Sequence, residues 1–353
     1  MTSLRTLRGR RVLVTGSTGF KGSWLSTGLL ELGADVAGFA LPPEPDAPLF
    51  DMLRLRERIR QHFGDIRDLD SIRRVVETEA PDVIVHLAAQ ALVRRGYEEP
   101  KLTFDTNVGG GVNLLEAVRA APSVRALVFV TSDKCYLNKE WVWAYRENDE
   151  LGGHDPYSAS KAAAELVFAC YQSAYFRDCP SFAAASARAG NVIGGGDRSS
   201  DRIVPDCVSA LERQSPIKLR NPSATRPWQH VLEPVSGYLL LAARLLAGDR
   251  NAAGAWNFAP DVENVRTVKE LAQQVAALWR GGEVVVAPEA GAPHEAQLLM
   301  LSNDKAKTRL GWRPRWDFAE AIDRTVMWYR DVGAGADPVG VTQRQIAEYL
   351  SMP

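Results

Sequence analysis

Cysteine is scarce in this chain. There are four in 353 residues (Cys135, Cys170, Cys179 and Cys207), none in a CxxC pair and none at metal-ligand spacing. That excludes a disulfide-stapled secreted scaffold, gives no reason to expect a metal, and makes a reducing cytoplasm the expected compartment. Long apolar runs are also missing: no stretch approaches the roughly 18 residues that span a bilayer. The opening MTSLRTLRGR has neither the apolar core nor the small-residue cleavage site of a secretion signal, so no membrane association is expected. An excess of one charge is absent too. Lys plus Arg number 42 and Asp plus Glu 43, a net charge of -1, which argues against a nucleic-acid binder but leaves room for a local basic pocket around one phosphorylated ligand. Internal repeats and low-complexity segments are not found.

What the chain does have is a 46% hydrophobic content, enough for a large core. Its first half alternates apolar runs with amphipathic stretches. RVLVTG, Asp35 to Leu41, His62 to Gly64, DVIVHLAA and ALVFVTS read as strands; Gly22 to Leu32, Leu69 to Glu79 and Asn107 to Ala120 read as helices. Continuous apolar strands separated by helices indicate a doubly wound α/β fold, a parallel Rossmann-type sheet covered on both faces. The second half is less regular, with a Gly-rich turn (GNVIGGGD), a Pro/Arg/Trp segment and the apolar stretch VSGYLLLAARLLAG. The spacing predicts a sheet domain over residues 1–188 and a smaller mixed α/β substrate domain over 189–353, with segments near 230–260 returning to the first.

Gly16-Ser17-Thr18-Gly19-Phe20-Lys21-Gly22 closes the first strand and opens the first helix. Such glycines permit a tight turn and a close backbone approach to a pyrophosphate, whose charge then meets the positive helix end. Glycines also simply mark turns; it is the strand–helix junction that points to a dinucleotide. The second strand ends Gly38-Phe39-Ala40-Leu41, with neither an acid for a ribose hydroxyl nor an arginine for a 2′-phosphate, so NAD and NADP are not distinguished locally. Asp65 either reaches an adenine amino group or merely starts a loop.

Tyr157-Ser158-Ala159-Ser160-Lys161 places a phenol and an ammonium one helical turn apart, on one face. A neighbouring ammonium favours phenolate, so Tyr157 is expected to be a base near neutral pH. Thr131-Ser132-Asp133-Lys134 follows the strand ALVFV, at the sheet edge where parallel-sheet proteins bind ligands. Together with TGSTGFKGSWL, AAQALVRRGYEEP, YSASK, ARAGNVIGGGD and NPSATRPWQHVLEP, these residues resemble the extended short-chain dehydrogenase/reductase family, and within it the CDP-glucose 4,6-dehydratases. Ser17, Gly96 and Arg198 depart from that group, which usually has His, Ser and Trp there.

The resemblance implies an NAD enzyme acting on a nucleotide sugar, CDP-glucose, as a homodimer or homotetramer. It implies a cofactor cradle of Gly16, Thr18, Gly19, Phe20, Lys21, Gly22, Asp65, Ile66, Leu87, Ala88, Ala89, Asn107, Thr131, Tyr157 and Lys161. Ser132 would assist Tyr157 at the sugar C4 hydroxyl, Asp133 would protonate the departing C6 hydroxyl, and Lys134 would take the C5 proton; Lys134 as a mere electrostatic support for Asp133 is the alternative. Gln90, Ser132, Arg188, Asn191, Arg202, Arg226 and His294 are the expected substrate contacts, with Gln90 alternatively a structural amide. A nucleotide-sugar 4-epimerase would use the same Tyr157 and Lys161 without the Asp133-Lys134 pair, and a non-catalytic NAD(P) sensor would need no base at all.

Overall fold

The computed structural model describes residues 4–45, 48–199, 201–287 and 298–352. At its centre seven strands run parallel: β1 (Arg11–Thr15), β2 (Asp35–Ala40), β3 (Arg60–Phe63), β4 (Val83–His86), β5 (Ala126–Val130), β6 (Ala183–Arg188) and β7 (Gly254–Asn257). Their spatial order is β7-β6-β5-β4-β1-β2-β3. Every residue of β4 and β5 is buried, as continuous apolar runs require when both faces of a sheet are covered.

Alternation along the strands divides the core. Val12 and Val14 point to one face with α1 (Phe20–Glu31) and α7 (Leu232–Leu246). Leu13, Phe39, Ile84 and Phe129 point to the other, with Ile72 and Val76 of α2 (Leu69–Glu79), Leu114 of α4 (Gly110–Ala120) and Phe168 of α5 (Pro156–Tyr171). Between α2 and α4 lies the short α3 (Val93–Glu98). Helix α2 begins where Asp68 accepts hydrogen bonds from the backbone N–H groups of Asp70 and Ser71. The stretch expected as helix from Asn107 starts differently: Asp105–Gly109 form a wide π turn before α4.

After β6 the chain leaves the sheet. Val192–Ile193 pair with Gln229–His230, Ile217–Leu219 with Val284–Val286, and Thr225–Pro227 with Val265–Thr267, flanked by α6 (Ile203–Glu212) and α8 (Val268–Trp279). Between these pieces α7 packs back on β4, β5 and β6, and β7 pairs with β6. The C-terminal α9 (Phe318–Gly333) and α10 (Pro338–Ser351) pack on each other, α9 against α8 and α10 against α1. Their anchor is Glu233 of α7, whose buried carboxyl accepts from Tyr349 Oη at 2.6 Å and from the Trp316 N–H at 2.8 Å. Burial pushes that carboxyl up to about 7.

Candidate active site

Strand order reverses between β1 and β4, which opens a crevice at their carboxyl ends. Gly16 sits there at φ +72°, and a Cβ on it would lie 2.7 Å from Ala88 N. On Gly22 a Cβ would lie 2.1 Å from Gly16 O, so only glycine lets α1 come this close. The helix starts at Gly19 with no side-chain cap, leaving its first N–H groups to an anion. Around this cradle Thr18 Oγ1 donates to Leu41 O, and the Leu87 and Ala88 N–H groups donate to Thr15 Oγ1. Ala89 continues the same loop, half-buried. At the far end, Asp65 is held by Arg67 Nε, 3.0 and 2.9 Å from its two oxygens. Departure Ser17 donates to Gln61 Oε1 at 2.8 Å beneath Gly38, where a Cβ would strike both side chains.

Beyond the cradle opens a cavity of about 880 Å³, walled by Ser132, Asp133, Lys134 and Tyr157 from the sheet edge and by residues from the segments after β6. Asp155 fixes Tyr157 in place: it accepts from the Ser158 N–H at 2.9 Å and, with Pro156, sets the start of α5. Lys161 lies one turn on, its Nζ 5.9 Å from the centre of the Tyr157 ring. Ser132 Oγ donates to Asp133 Oδ1 at 2.8 Å, and Asn191 Nδ2 stands 3.4 Å from the other Asp133 oxygen. Lys134 faces the cavity, and among the described residues no ion pair joins it to Asp133.

The expected low phenol pKa is not what the chain alone produces. Burial pushes Tyr157 up to about 12, with Ser132 opposing the shift. Lys161 is itself lowered to about 8 by burial and by the charge of Lys21. The ammonium of Lys21 turns towards the same cavity, lowered to about 8 by burial and by Arg202, so this residue of the glycine motif faces the substrate side as well as the cofactor turn.

Comparison with known proteins agrees with this geometry. Residues 13–325 match the model of the family described as GDP-mannose 4,6 dehydratase. The chain belongs to that family. It is a branch of the extended short-chain dehydrogenases/reductases. A CDP-glucose 4,6-dehydratase of Salmonella typhimurium is 44% identical over 98% of this chain and 97% of its own. Among solved structures, the NAD complex of Thermus thermophilus UDP-glucose 4-epimerase is 28% identical over 91% of this chain and 99% of that one, with a TM-score of 0.77. A Streptomyces venezuelae dTDP-glucose 4,6-dehydratase with NAD bound is 27% identical over 93% and 99%, with a TM-score of 0.75.

Several of the residues expected to meet ligands are engaged within the protein. Arg188 is 3% exposed; its guanidinium reaches Glu165 and Tyr136 Oη beneath the site, and it does not line the cavity. Gln90 spends its amide on Leu92 and Thr103, which is the structural alternative, because the loop after β4 leaves backbone groups that need partners. Asn107 ties that loop to Ser160 of α5, Thr131 donates to Glu165, and Ile66 is buried with its carbonyl bonded to Asn113. Phe20 is partly buried and packs against the core. Asn191, Arg202 and Arg226 do line the cavity, Arg202 being held by Asp197 at 2.9 Å. His294 lies outside the described residues.

The departures from the dehydratase pattern have local explanations. Arg198 turns from the cavity to a bidentate pair with Glu212, over the Tyr329 ring. Gly96 lets α3 ride on Tyr157: a Cβ there would stand 3.3 Å from the Tyr157 backbone N and Cβ. Trp228 brings a buried indole N–H with no partner to the cavity wall. Arg94, Asp201 and Arg220 also line the cavity and were not expected from the sequence, since they lie far apart along the chain.

Proposed function

We propose that the chain is an NAD-dependent CDP-glucose 4,6-dehydratase, a hydro-lyase that forms CDP-4-keto-6-deoxyglucose. One observation carries the reading: an acid–base pair, Asp133 and Lys134, opens onto the same cavity as Tyr157 and Ser132. The glycine cradle and the uncapped start of α1 fit a dinucleotide. NAD held there would supply hydride acceptance from C4 and hydride donation to C6. Tyr157 Oη takes the proton of the C4 hydroxyl, with Ser132 Oγ orienting that hydroxyl. The C4 ketone acidifies C5–H, Lys134 Nζ removes that proton, and Asp133 gives one to the C6 oxygen, which leaves as water. Lys161 Nζ opposes negative charge on the phenol. Asn191 and Ser132 hold the Asp133 carboxyl in place. The arginines of the outer wall meet the diphosphate. Asp65 and Thr18 would help to hold the cofactor beside the glycine turn.

The test is incubation of CDP-, dTDP-, UDP- and GDP-hexoses in D2O. CDP-glucose should yield an alkali-absorbing keto sugar carrying deuterium at C5. Lys134→Met should lower turnover by roughly 10²–10⁴-fold and abolish C5 exchange while the nicotinamide absorbance still changes on mixing. Unchanged deuterium incorporation in that variant removes Lys134 from the mechanism, and a product without the ketone favours an epimerase.

A homodimer, or a tetramer built from it, is part of the proposal. Leu166 and Tyr175 are 60% and 54% exposed on and just after α5, and Phe104 is exposed on the short helix packed against α5, apolar surface that a second copy would cover. Sedimentation reads this directly: a monomer at micromolar concentration would rule it out. No helix among the described residues is long and apolar enough to cross a membrane. The proposed setting is the cytoplasm, where four unpaired thiols persist.

A further inference from the structure

Three cavity-lining residues from separate parts of the chain meet on one oxygen. Arg94 belongs to α3, beside the parallel sheet; Arg220 follows the strand Ile217–Leu219; Asp201 stands ahead of α6. Asp201 Oδ1 lies 2.6 Å from Arg220 Nη1 and 3.4 Å from Arg94 Nε. The carboxylate thus joins the sheet-bearing half to the segments after β6, across the cavity. Asp201 holds a left-handed backbone, φ +62°. The three side chains are 30–41% exposed, so water and a dissolved anion reach them. Arg94 and Arg220 each have a further interaction besides the one with Asp201. A second carboxyl in the same wall, Asp206, is pushed up by burial.

We propose that Asp201 is a resident counter-anion: it holds Arg94 and Arg220 together across the cavity until the phosphate oxygens of the substrate replace it on the two guanidiniums. Guanidinium forks bind carboxylate and phosphate with the same geometry, so the exchange keeps the donors satisfied. Competition of Asp201 for the two guanidiniums then loosens binding and helps the product leave. The inference rests on the nucleotide-sugar reading for its substrate; its phosphate chemistry can be measured without it.

The experiment is calorimetric titration of the full chain with inorganic pyrophosphate at low and high salt. Asp201→Asn should bind roughly tenfold more tightly at low salt, as expected for removing one charge at a few ångströms in a partly solvated site. At about 0.5 M salt the gap should shrink to about twofold, because the site is screened. Asn and Gly both tolerate the left-handed backbone, so Asp201→Gly should behave alike. In an Arg94→Gln/Arg220→Gln background, Asp201→Asn should change nothing. The KM for CDP-glucose should fall with the pyrophosphate Kd. Unchanged or weaker pyrophosphate binding in Asp201→Asn, or an effect that survives in the double-Gln background, overturns the proposal. Failure of the wild-type chain to turn over CDP-glucose would instead undo the substrate reading and leave the pyrophosphate comparison standing.

Discussion

Tyr157→Phe is expected to lower kcat/KM for keto-sugar formation by roughly 10³–10⁴-fold while leaving NADH affinity within about threefold. The substitution removes one oxygen and keeps the backbone and Cβ of residue 157 that α3 packs against at Gly96. Because burial drives the phenol up to about 12, almost none of it is ionised at neutral pH without added positive charge. The pH dependence follows from the two groups together. Raising the pH favours phenolate at Tyr157, but it discharges Lys161 above about 8, so wild-type activity should climb toward that point and level off or fall beyond it. The residual activity of Tyr157→Phe should lack the climb. Steady-state rates across pH and fluorescence titration with NADH measure both parts; activity within tenfold of wild type would remove the phenol from the chemistry.

The largest effect on stability should come from Glu165. Its carboxylate is 2% exposed and accepts from Thr131 Oγ1, from Ser186 Oγ at 2.8 Å and from Arg188 Nη2 at 2.8 Å. Arg188 Nη1 continues to Tyr136 Oη at 2.7 Å, which donates to Asn257 Oδ1 at 2.8 Å, so one network crosses α5, β5, β6 and β7. Burial opposes the charge on Arg188, but Glu165 outweighs it and the guanidinium stays firmly protonated. Glu165→Leu strands that cation in a dry interior and should cost about 3–5 kcal/mol in urea unfolding. Adding Arg188→Met should restore much of the loss, since two apolar residues leave no uncompensated charge. A loss below about 1 kcal/mol in the single variant would show that the pair does not hold the sheet to α5.

These two residues also mark how far the sequence could be read. Tyr157 and Lys161 were legible because one helical turn, a capped start and a neighbouring strand end are all local features. Strands such as ALVFV and helix 69–79 were legible for the same reason. Arg188 was not: an arginine ending the run AAASAR looks free to meet a ligand until Glu165, on another element, is brought against it. Gln90 and Asn107 show the same limit, since which amide serves the backbone and which a ligand depends on loop closure. The turn of Lys21 toward the substrate side depends on the rotational phase of α1. Glu165 itself had a readable signal, standing four residues after Lys161 on the stripe that begins at Tyr157.

The return of α7 and β7 to the sheet shapes how this scaffold can be re-engineered. Cavity-lining residues beyond the sheet half arrive from two separate inserts, one between β6 and α7 and one after β7. Transplanting a different nucleotide preference therefore means exchanging both inserts at once. A single cut after Arg188 would strip the sheet of its outer strand and leave neither fragment with a finished edge.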